Sequence, residues 1–383
     1  MATATTERPT SEDDAARLLR AAGAEGRRVR AVGGATKLDW GHPVEDPDVE
    51  LSLSGLDGIT EHNEGDLTAV LEAGVPLGRA QEVFAGAGQM MALDPPLGAG
   101  EAATVGGIMA AGDSGPLRHR YGGPRDLVIG MTAALSDGTL AHSGGKVIKN
   151  VAGYDLAKLF TGAFGTLGVI LGVSVRLHPR APTTATALGA SHDLDAVARA
   201  ASSMAHARME MECLDVRLED GRGTVLARFG GTTAARQAEA ALERMDAEGL
   251  EAEAVEDDDA LWEAQRAGQR SSEGAVVRVS GVQSGLRAVF SAAERLGASV
   301  VGRAALGLSW VRLEQGDLVA GVEELRRELA PHPCVVLDAP REVRAAVDPW
   351  GPTDPGALTL MRRTKARFDP QGVCRPGVFV GGI

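Results

Sequence analysis

No apolar run in the sequence approaches the ~20 residues that a membrane-spanning helix needs. A basic excess is also lacking, because the 383 residues carry a formal net charge of −13 at pH 7. An acidic chain without a basic stripe is a poor partner for nucleic acid or for an anionic membrane surface. Acidic residues stand near the N-terminus, where a secretory leader needs a basic and then an apolar stretch. These absences predict a cytoplasmic protein with no direct membrane span and no nucleic-acid partner.

Cysteine is scarce, and the three that occur, Cys213, Cys334 and Cys374, are far apart. There is no CxxC pair, so the sequence predicts neither a cysteine-type zinc site nor an iron–sulfur cluster on this chain. We expect three ordinary thiols in a reducing compartment, and no bound metal.

Lysine is rare too, since only five of the 39 basic residues are lysines. Four of them, Lys37, Lys146, Lys149 and Lys158, nevertheless stand in glycine-rich segments of the first half. Glycine is abundant, with 50 residues where average usage would give about 27. A compact ammonium is not interchangeable with a guanidinium. The clustering indicates positions that need lysine, for instance beside a phosphate, with chance placement as the alternative.

The first half has the pattern of short strands joined by glycine-rich loops. A helix opens it, capped by Ser11 and ended by Gly23. Strands are predicted at Arg28–Val32, Glu50–Leu53, Leu67–Glu72 and Val169–Leu177. Loops and short helices are expected from Gly74 to Gly123. The run His178–Pro182 breaks the pattern, which places a domain boundary at residue 180.

The second half alternates amphipathic helices with strands. Helices are predicted at Leu194–Met204, Ala234–Glu248, Leu286–Leu296 and Leu318–Leu329. Strands are predicted near Cys213–Leu218, Thr224–Phe229, Val276–Ser280, Val300–Arg303, Leu308–Leu313 and Cys334–Leu337. The acidic run Glu256–Asp259 is expected in a solvated loop, and the Gly- and Pro-rich tail in no helix. The pattern is typical of a ferredoxin-like α+β sheet covered by helices.

Two glycines directly follow the first long strand, in the run Val32-Gly33-Gly34-Ala35-Thr36-Lys37. Backbone N–H groups of such a turn can point into a concavity that binds phosphate oxygens, and a nearby hydroxyl and ammonium add to it. The alternative is a simple turn. The run is neither GxGxxG nor GxxxxGK[ST], which disfavours Rossmann and ATPase folds.

Two further segments are rich in small residues. One contains Asp94-Pro95-Pro96 and continues through Thr104-Val105-Gly106-Gly107 to Ser114-Gly115-Pro116. Small residues let the backbone approach a ligand closely, and core packing does not explain a run of this length. The other, SGGKVIKNVAGYDLAKLF at residues 143–160, leads through Gly165 and Gly168 to Val169 and Ile170.

The three segments, in this order and spacing, resemble the FAD-binding domain of the vanillyl-alcohol-oxidase and p-cresol-methylhydroxylase superfamily. The third is the most specific, and FDPQGVCRPG near the C-terminus is similar to the family's closing segment. Within the superfamily, GGATKLDWG and SGGKVIKNVAGYDLAKL resemble the FAD-binding E-subunit family of bacterial glycolate oxidases. The resemblance implies a two-lobed FAD-binding domain over residues 1–180, an α+β cap domain over 181–365, and a C-terminal segment, 366–383, that returns to the FAD domain.

The resemblance also implies the cofactor contacts. The pyrophosphate loop would consist of Val32, Gly33, Gly34, Ala35, Thr36 and Lys37. The second face of the cofactor would be lined by Asp94, Pro95, Pro96, Thr104, Gly106, Gly107, Ser114 and Gly115. Backbone contacts near the adenine and ribose would come from Gly165, Gly168, Val169 and Ile170. The isoalloxazine would lie at the junction with the cap.

Departures from the family limit what it implies. Members that tether FAD covalently use a His in or near the first loop or a Cys in the later one, and neither stands there, so we expect non-covalent FAD. The cap histidines His192, His206 and His332 lack the paired spacing of the metal-assisted hydroxy-acid dehydrogenases. Arg375 precedes Pro-Gly where relatives usually have Asn.

The implied activity is that of an FAD-dependent oxidoreductase acting on CH–OH groups. The chain would be a subunit of a 2-hydroxy-acid (glycolate) dehydrogenase or oxidase and accept a hydride at flavin N5. Two alternatives stay open: an electron relay for a partner chain, and a standalone alcohol or hydroxy-acid oxidase. The implied partners are a second flavoprotein and an iron–sulfur subunit, which would also supply any membrane association. No catalytic residue is assigned, since His119, Tyr121 and Tyr154 are equally well explained as structural.

Overall fold

The computed structural model describes residues 4–145 and 155–383, which form two compact units. The first unit draws on Met1–Ser114, Gly122–Arg180 and Thr353–Ile383, and the second on Gly115–Tyr121 and Ala181–Pro352. The predicted boundary at residue 180 coincides with a change of unit. Residues 353–365, predicted in the cap, group with the first unit, because one continuous helix runs from Pro355 to Phe368. The assignment of folding domains stays a prediction.

The first stretch of chain contains short strands and short helices. The strands are β1 (Thr5–Glu7), β2 (Val29–Val32), β3 (Val49–Ser52), β4 (Ile59–Asn63), β5 (Thr68–Glu72), β6 (Gln89–Met90), β7 (Val128–Ala134), β8 (Leu140–Gly144), β9 (Val169–Arg176) and β10 (His178–Pro179). The helices are α1 (Glu12–Glu25), α2 (Leu77–Gly86), α3 (Val105–Ala111), α4 (Arg118–Tyr121), α5 (Pro124–Leu127) and α6 (Leu156–Phe160). Helix α4 groups with the second unit.

The first unit contains two larger sheets and a two-stranded antiparallel pair of β6 and β10. Strands β1-β3-β2 are parallel, and β4-β5-β9-β7-β8 form an antiparallel sheet. The strand predicted at Val169–Leu177 is β9, at the centre of the larger sheet. Its first five residues are all buried, so the chain that leaves the Gly165–Gly168 loop enters the core at once.

Helix α1 begins as predicted but ends later. Ser11 is the N-cap, and its hydroxyl accepts a hydrogen bond from the Asp14 N–H. The prediction that Gly23 ends the helix is wrong, because Gly26, with φ 65°, is the C-cap. Gly23 lies inside the helix, where a Cβ would overlap the carbonyl oxygen of Ser136. This glycine therefore serves close packing.

The second unit is one antiparallel sheet of eight strands, in the order β14-β11-β13-β12-β16-β17-β15-β18. The strands are β11 (Thr184–Ser191), β12 (Met211–Glu219), β13 (Arg222–Gly230), β14 (Glu251–Val255), β15 (Ala275–Ser280), β16 (Ser299–Arg303), β17 (Leu308–Leu313) and β18 (Cys334–Val336). The helices are α7 (Leu194–Ala205), α8 (Ala234–Ala247), α9 (Asp259–Ala267), α10 (Leu286–Arg295), α11 (Leu318–Glu328) and α12 (Arg341–Ala346). The C-terminal helix α13 (Pro355–Phe368) belongs to the first unit. The predicted α+β class is confirmed. None of the described helices combines the length and apolarity of a bilayer span.

The two faces of the eight-stranded sheet differ. Leu214 and Val216 of β12 share one apolar core with residues of α7, α8, α10 and α11. Cys213 and Leu226 form a separate cluster with Trp262 of α9. Alternate residues of the strands thus face two different layers.

The acidic run Glu256–Asp259 is a loop through residue 258, as predicted, but it is only partly solvated. Asp258 is buried where α9 begins, and its carboxylate accepts a hydrogen bond of 2.6 Å from the Thr186 hydroxyl. The same carboxylate lies 3.7 Å from the guanidinium of Arg228. The run therefore starts a helix and anchors it to the sheet.

A fully buried ion pair joins the neighbouring strands β12 and β16 of this sheet. The Arg303 guanidinium donates a 2.7 Å hydrogen bond to Asp215 Oδ2, and both side chains are 0% exposed. Gln269 accepts from the same guanidinium, which also lies 4.8 Å from the ring centroid of Trp310. Removing one partner of such a pair leaves a buried charge without compensation.

We expect Asp215→Leu to destabilise the second unit by about 3–5 kcal/mol, and Asp215→Leu with Arg303→Met to restore much of the loss. Urea unfolding followed by tryptophan fluorescence reports on this unit, since Trp262, Trp310 and Trp350 lie in it. The control is Glu251→Leu, which breaks an exposed pair with Arg222 and should cost about 1 kcal/mol or less. Equal costs for the buried and the exposed pair would contradict this account.

Candidate cofactor site

A cleft in the first unit encloses about 760 Å³ of empty space, part of it open to solvent. Three chain segments and the C-terminal tail line it. The lining residues are Ala31, Gly33, Gly34, Ala35, Thr36, Lys37, Leu38, Leu53, Thr104, Gly106, Gly107, Ala110, Ala111, Phe164, Gly165, Gly168, Val169, Ile170 and Arg375. Twelve of the predicted cofactor residues thus lie together around one cleft, although they are up to 137 positions apart (33 to 170).

The loop after β2 is pressed against the chain that precedes α3. A Cβ on Gly33 would overlap the Thr104 hydroxyl, and a Cβ on Gly34 would overlap the Ala102 carbonyl oxygen. Ala35, with φ 57°, then turns the chain away in the left-handed region. Gly33 and Gly34 are therefore required for packing as well as for the shape of the cleft.

Helix α3 presents four small residues to the cleft. Thr104 caps the helix, and its hydroxyl accepts a 3.3 Å hydrogen bond from the Gly107 N–H. Gly106 is buried, with a Cβ position 2.5 Å from the Cβ of Ala73. Gly107 is exposed, and a Cβ there would meet only the Thr104 hydroxyl, at 3.2 Å. Of these two glycines, only Gly107 leaves room on the cleft side.

The missed residues Ala110 and Ala111 lie on the same helix. They follow Gly106 and Gly107 at helical spacing, and that period was the signal that could have found them. Phe164 and Arg375 were missed as well, and they come from turns that a sequence pattern does not place.

Lys37 lines the cleft with its charge already paired. Its Nζ lies 3.3 Å from Asp113 Oδ2, and the two side chains are 7% and 5% exposed. Nζ also donates to the Pro96 carbonyl at 3.3 Å. A role of Lys37 beside a phosphate stays a prediction.

Of the other lysines in the predicted cluster, the structure describes Lys158. Lys158 forms a half-exposed pair with Asp155 at 3.1 Å. Lys146, Lys149 and Tyr154 lie outside the described residues. A phosphate role for these lysines stays a prediction.

The C-terminal tail is fastened by the fifth lysine. Lys365 Nζ donates to the carbonyls of Thr166 and Cys374, at 2.7 and 2.8 Å, and to Asp369 Oδ2 at 2.5 Å. The Asp369 carboxylate in turn accepts from the N–H groups of Val373 and Cys374. These bonds fix the tail directly before Arg375.

Arg375 joins the tail to two of the cleft segments. Its guanidinium donates to the Leu38 carbonyl at 2.8 Å and to the Phe164 carbonyl at 3.3 Å. Burial and then repulsion from Arg30 lower the pKa of Arg375 to about 10. At neutral pH this arginine is therefore still a cation inside the cleft.

Six predicted cofactor residues do not line this cleft: Val32, Asp94, Pro95, Pro96, Ser114 and Gly115. Pro96 contributes the carbonyl that accepts from Lys37. Gly115 groups with the second unit. A cofactor role of all six stays a prediction.

The structure describes two of the residues considered as catalytic candidates, His119 and Tyr121. Tyr121 donates a 3.1 Å hydrogen bond to Glu212, and burial together with this carboxylate raises the pKa of Tyr121 to about 12. Burial lowers the pKa of His119. Both residues group with the second unit. Within residues 4–145 and 155–383, no group of three or more His, Cys, Asp or Glu side chains is arranged to hold a metal ion.

Residues 4–144 match the family described as "FAD binding domain". The chain is 33% identical over 205 residues to glycolate oxidase subunit GlcE of Escherichia coli, which covers 51% of this chain and 57% of that protein. It is 30% identical over 201 residues to glycolate oxidase subunit GlcD of Bacillus subtilis, covering 52% of this chain and 42% of that protein. The D-lactate dehydrogenase of Archaeoglobus fulgidus is 32% identical over 173 residues, 45% of this chain and 38% of its own length. The alignments thus span about half of these relatives or less.

Among solved structures, an alkyldihydroxyacetonephosphate synthase superposes with a TM-score of 0.70 at 14% identity. The superposition covers 97% of this chain and 75% of that one, and at this identity it shows a shared fold. The resemblance that the three loop segments predicted is confirmed, and residues 4–144 of this chain match the FAD binding domain family.

Proposed function

We propose that the chain is the FAD-binding subunit of a 2-hydroxy-acid dehydrogenase or oxidase complex, with glycolate or a similar acid as substrate. The observation that carries the proposal is the cleft, in which small residues of three separate segments meet, the first two of them inside the matched FAD binding domain. Similarity to two glycolate oxidase subunits and a D-lactate dehydrogenase supports the substrate class.

The residues present fit a large cofactor with a phosphate group. Gly107 leaves space that a side chain would fill, and Arg375 Nε is buried without an acceptor. When bound, FAD would take two electrons from a CH–OH substrate. The loops and helix α3 would bind and orient it, and the apolar lining would exclude water from its buried part.

Non-covalent binding is the expected mode. Among the described residues of the cleft there is no His, Cys or Tyr that could form a tether. The three cysteines are buried and unpaired by disulfides, and burial, with Asp369 nearby, raises the pKa of the Cys374 thiol to about 12. A neutral, buried thiol is a poor nucleophile.

Acid precipitation of the purified chain should therefore leave FAD in the supernatant, because nothing bonds it to the polypeptide. The measurement is the visible spectrum and the mass of the released flavin. Yellow colour that stays with the precipitate would contradict non-covalent binding. Release of FMN or NAD in place of FAD would contradict the proposed cofactor.

Gly107→Val should weaken FAD binding by about tenfold or more, since the methyl groups would occupy the cleft. Gly34→Val should also abolish binding, but its side chain would push the Ala102 carbonyl away and damage the loops themselves. The matched control is Gly86→Val, at an exposed helix position with nothing within 4 Å of its Cβ. Fluorescence titration with FAD distinguishes the variants, and full affinity of Gly107→Val would mean that the cofactor lies elsewhere.

Activity should need partner subunits, and we include a second flavoprotein and an iron–sulfur protein among them. The relatives named as subunits of glycolate oxidase support an assembly. The described residues offer no cluster of metal ligands that would bind and polarise a hydroxy acid. Within such an assembly the chain acts as the catalytic flavoprotein or as an electron relay.

The purified chain should accordingly bind FAD but reduce an artificial dye slowly with glycolate or lactate. The co-expressed assembly should reduce it rapidly. Dye reduction by both preparations at equal flavin content checks this, and rapid turnover by the single chain would instead favour a standalone hydroxy-acid oxidase.

A further inference from the structure

The cleft contains one cation that forms no ion pair with a carboxylate of the described chain, although Asp39 attracts it from farther away. Lys37 and Arg375 are the cationic residues among those that line it in the described ranges. Lys37 is paired with Asp113. The Arg375 guanidinium has two carbonyl acceptors and, within the described part of the chain, no carboxylate oxygen within 4.0 Å.

This arrangement is costly without an anion. Burial disfavours the charged form of Arg375, and the attraction of Asp39 offsets this only in part, so the pKa stays lowered. Arg375 Nε is buried without an acceptor, and Arg30 adds repulsion. An anionic ligand in the cleft would relieve the unmet hydrogen bond and the repulsion together.

The backbone makes arginine an unfavourable choice here. Arg375 has φ 41°, in the left-handed region that Asn adopts more readily than Arg. An arginine at this position costs free energy through backbone strain. We infer that the contacts made by its charge or by its length offset that cost.

Resting on the proposed function, we propose that Arg375 binds the pyrophosphate of FAD. Its guanidinium is hydrogen-bonded to the Leu38 carbonyl, next to the loop Gly33–Lys37 that is predicted to receive the pyrophosphate. The pyrophosphate is the part of FAD that is anionic in every redox state. Arg375 thereby supplies the positive charge that Lys37, paired with Asp113, does not.

The test compares Arg375→Asn and Arg375→Lys in the full chain. Asn suits the left-handed backbone but removes the charge, so we expect FAD affinity to fall about 10- to 100-fold while the flavin-free protein melts no lower than wild type. Lys keeps the charge and should bind within about fivefold of wild type. Arg20→Gln is the matched control, because Arg20 also donates to two backbone carbonyls, those of Asp137 and Gly138, but outside the cleft.

Riboflavin, which has no phosphate, is the second probe, and its affinity should be similar in wild type and Arg375→Asn. An affinity for FAD as high in Arg375→Asn as in wild type, or as low in Arg375→Lys as in Arg375→Asn, would overturn the proposal. An equal loss for riboflavin would also overturn it and make Arg375 a tie between loops. A changed midpoint potential with unchanged FAD affinity would move the contact to the isoalloxazine. A wild-type chain that binds no FAD would instead defeat the proposed function.

Discussion

The cleft exists because two stretches of backbone approach each other with no side chain between them. Gly33 and Gly34 lie against Ala102 and Thr104 so closely that a Cβ on either glycine would overlap an oxygen atom. This contact fixes where the loop after β2 and the start of α3 stand. Gly107, which leaves open space in the cleft, follows this contact on helix α3. Gly33 and Gly34 therefore permit the close packing of the backbone, and they affect a ligand through the shape that this packing gives the cleft.

Arg375, which also lines the cleft, is held in place by residues near the end of the chain. Bringing a tail back to a loop more than 300 positions away costs chain entropy, which grows only slowly with separation. The charge-assisted bonds of Lys365 to Asp369 and to two carbonyls offset that cost. Arg375 then reaches the carbonyls of Leu38 and Phe164. Lys365 thus fixes the chain next to Arg375, which lines the cleft.

What the sequence predicts well follows from local pattern. Helices α7, α8, α10 and α11 have clear apolar faces, and the sequence predicts their ends to within one residue. Strand β9 alternates and is found where expected. Strands β7 and β8 were not predicted. Gly and Ala weaken the apolar strand pattern of β7, and β8 is short and half-exposed. Helix α9 was not predicted, because an acidic run precedes it. One residue of that run, Asp258, is buried by tertiary contacts.

The same distinction between local pattern and tertiary structure applies to the site residues. Glycine-rich motifs predicted twelve cleft residues, because a need for small side chains is visible in sequence. Conformation is not visible there. Of the six non-glycine residues with positive φ in the described ranges, three, Ala35, Phe164 and Arg375, line the cleft. Strained backbone persists only where surrounding contacts fix it, and at Arg375 those contacts come from Lys365, Asp369 and the two carbonyls. The strain and the unmet hydrogen bond of Nε meet in one residue, Arg375, where a bound anion would satisfy that bond.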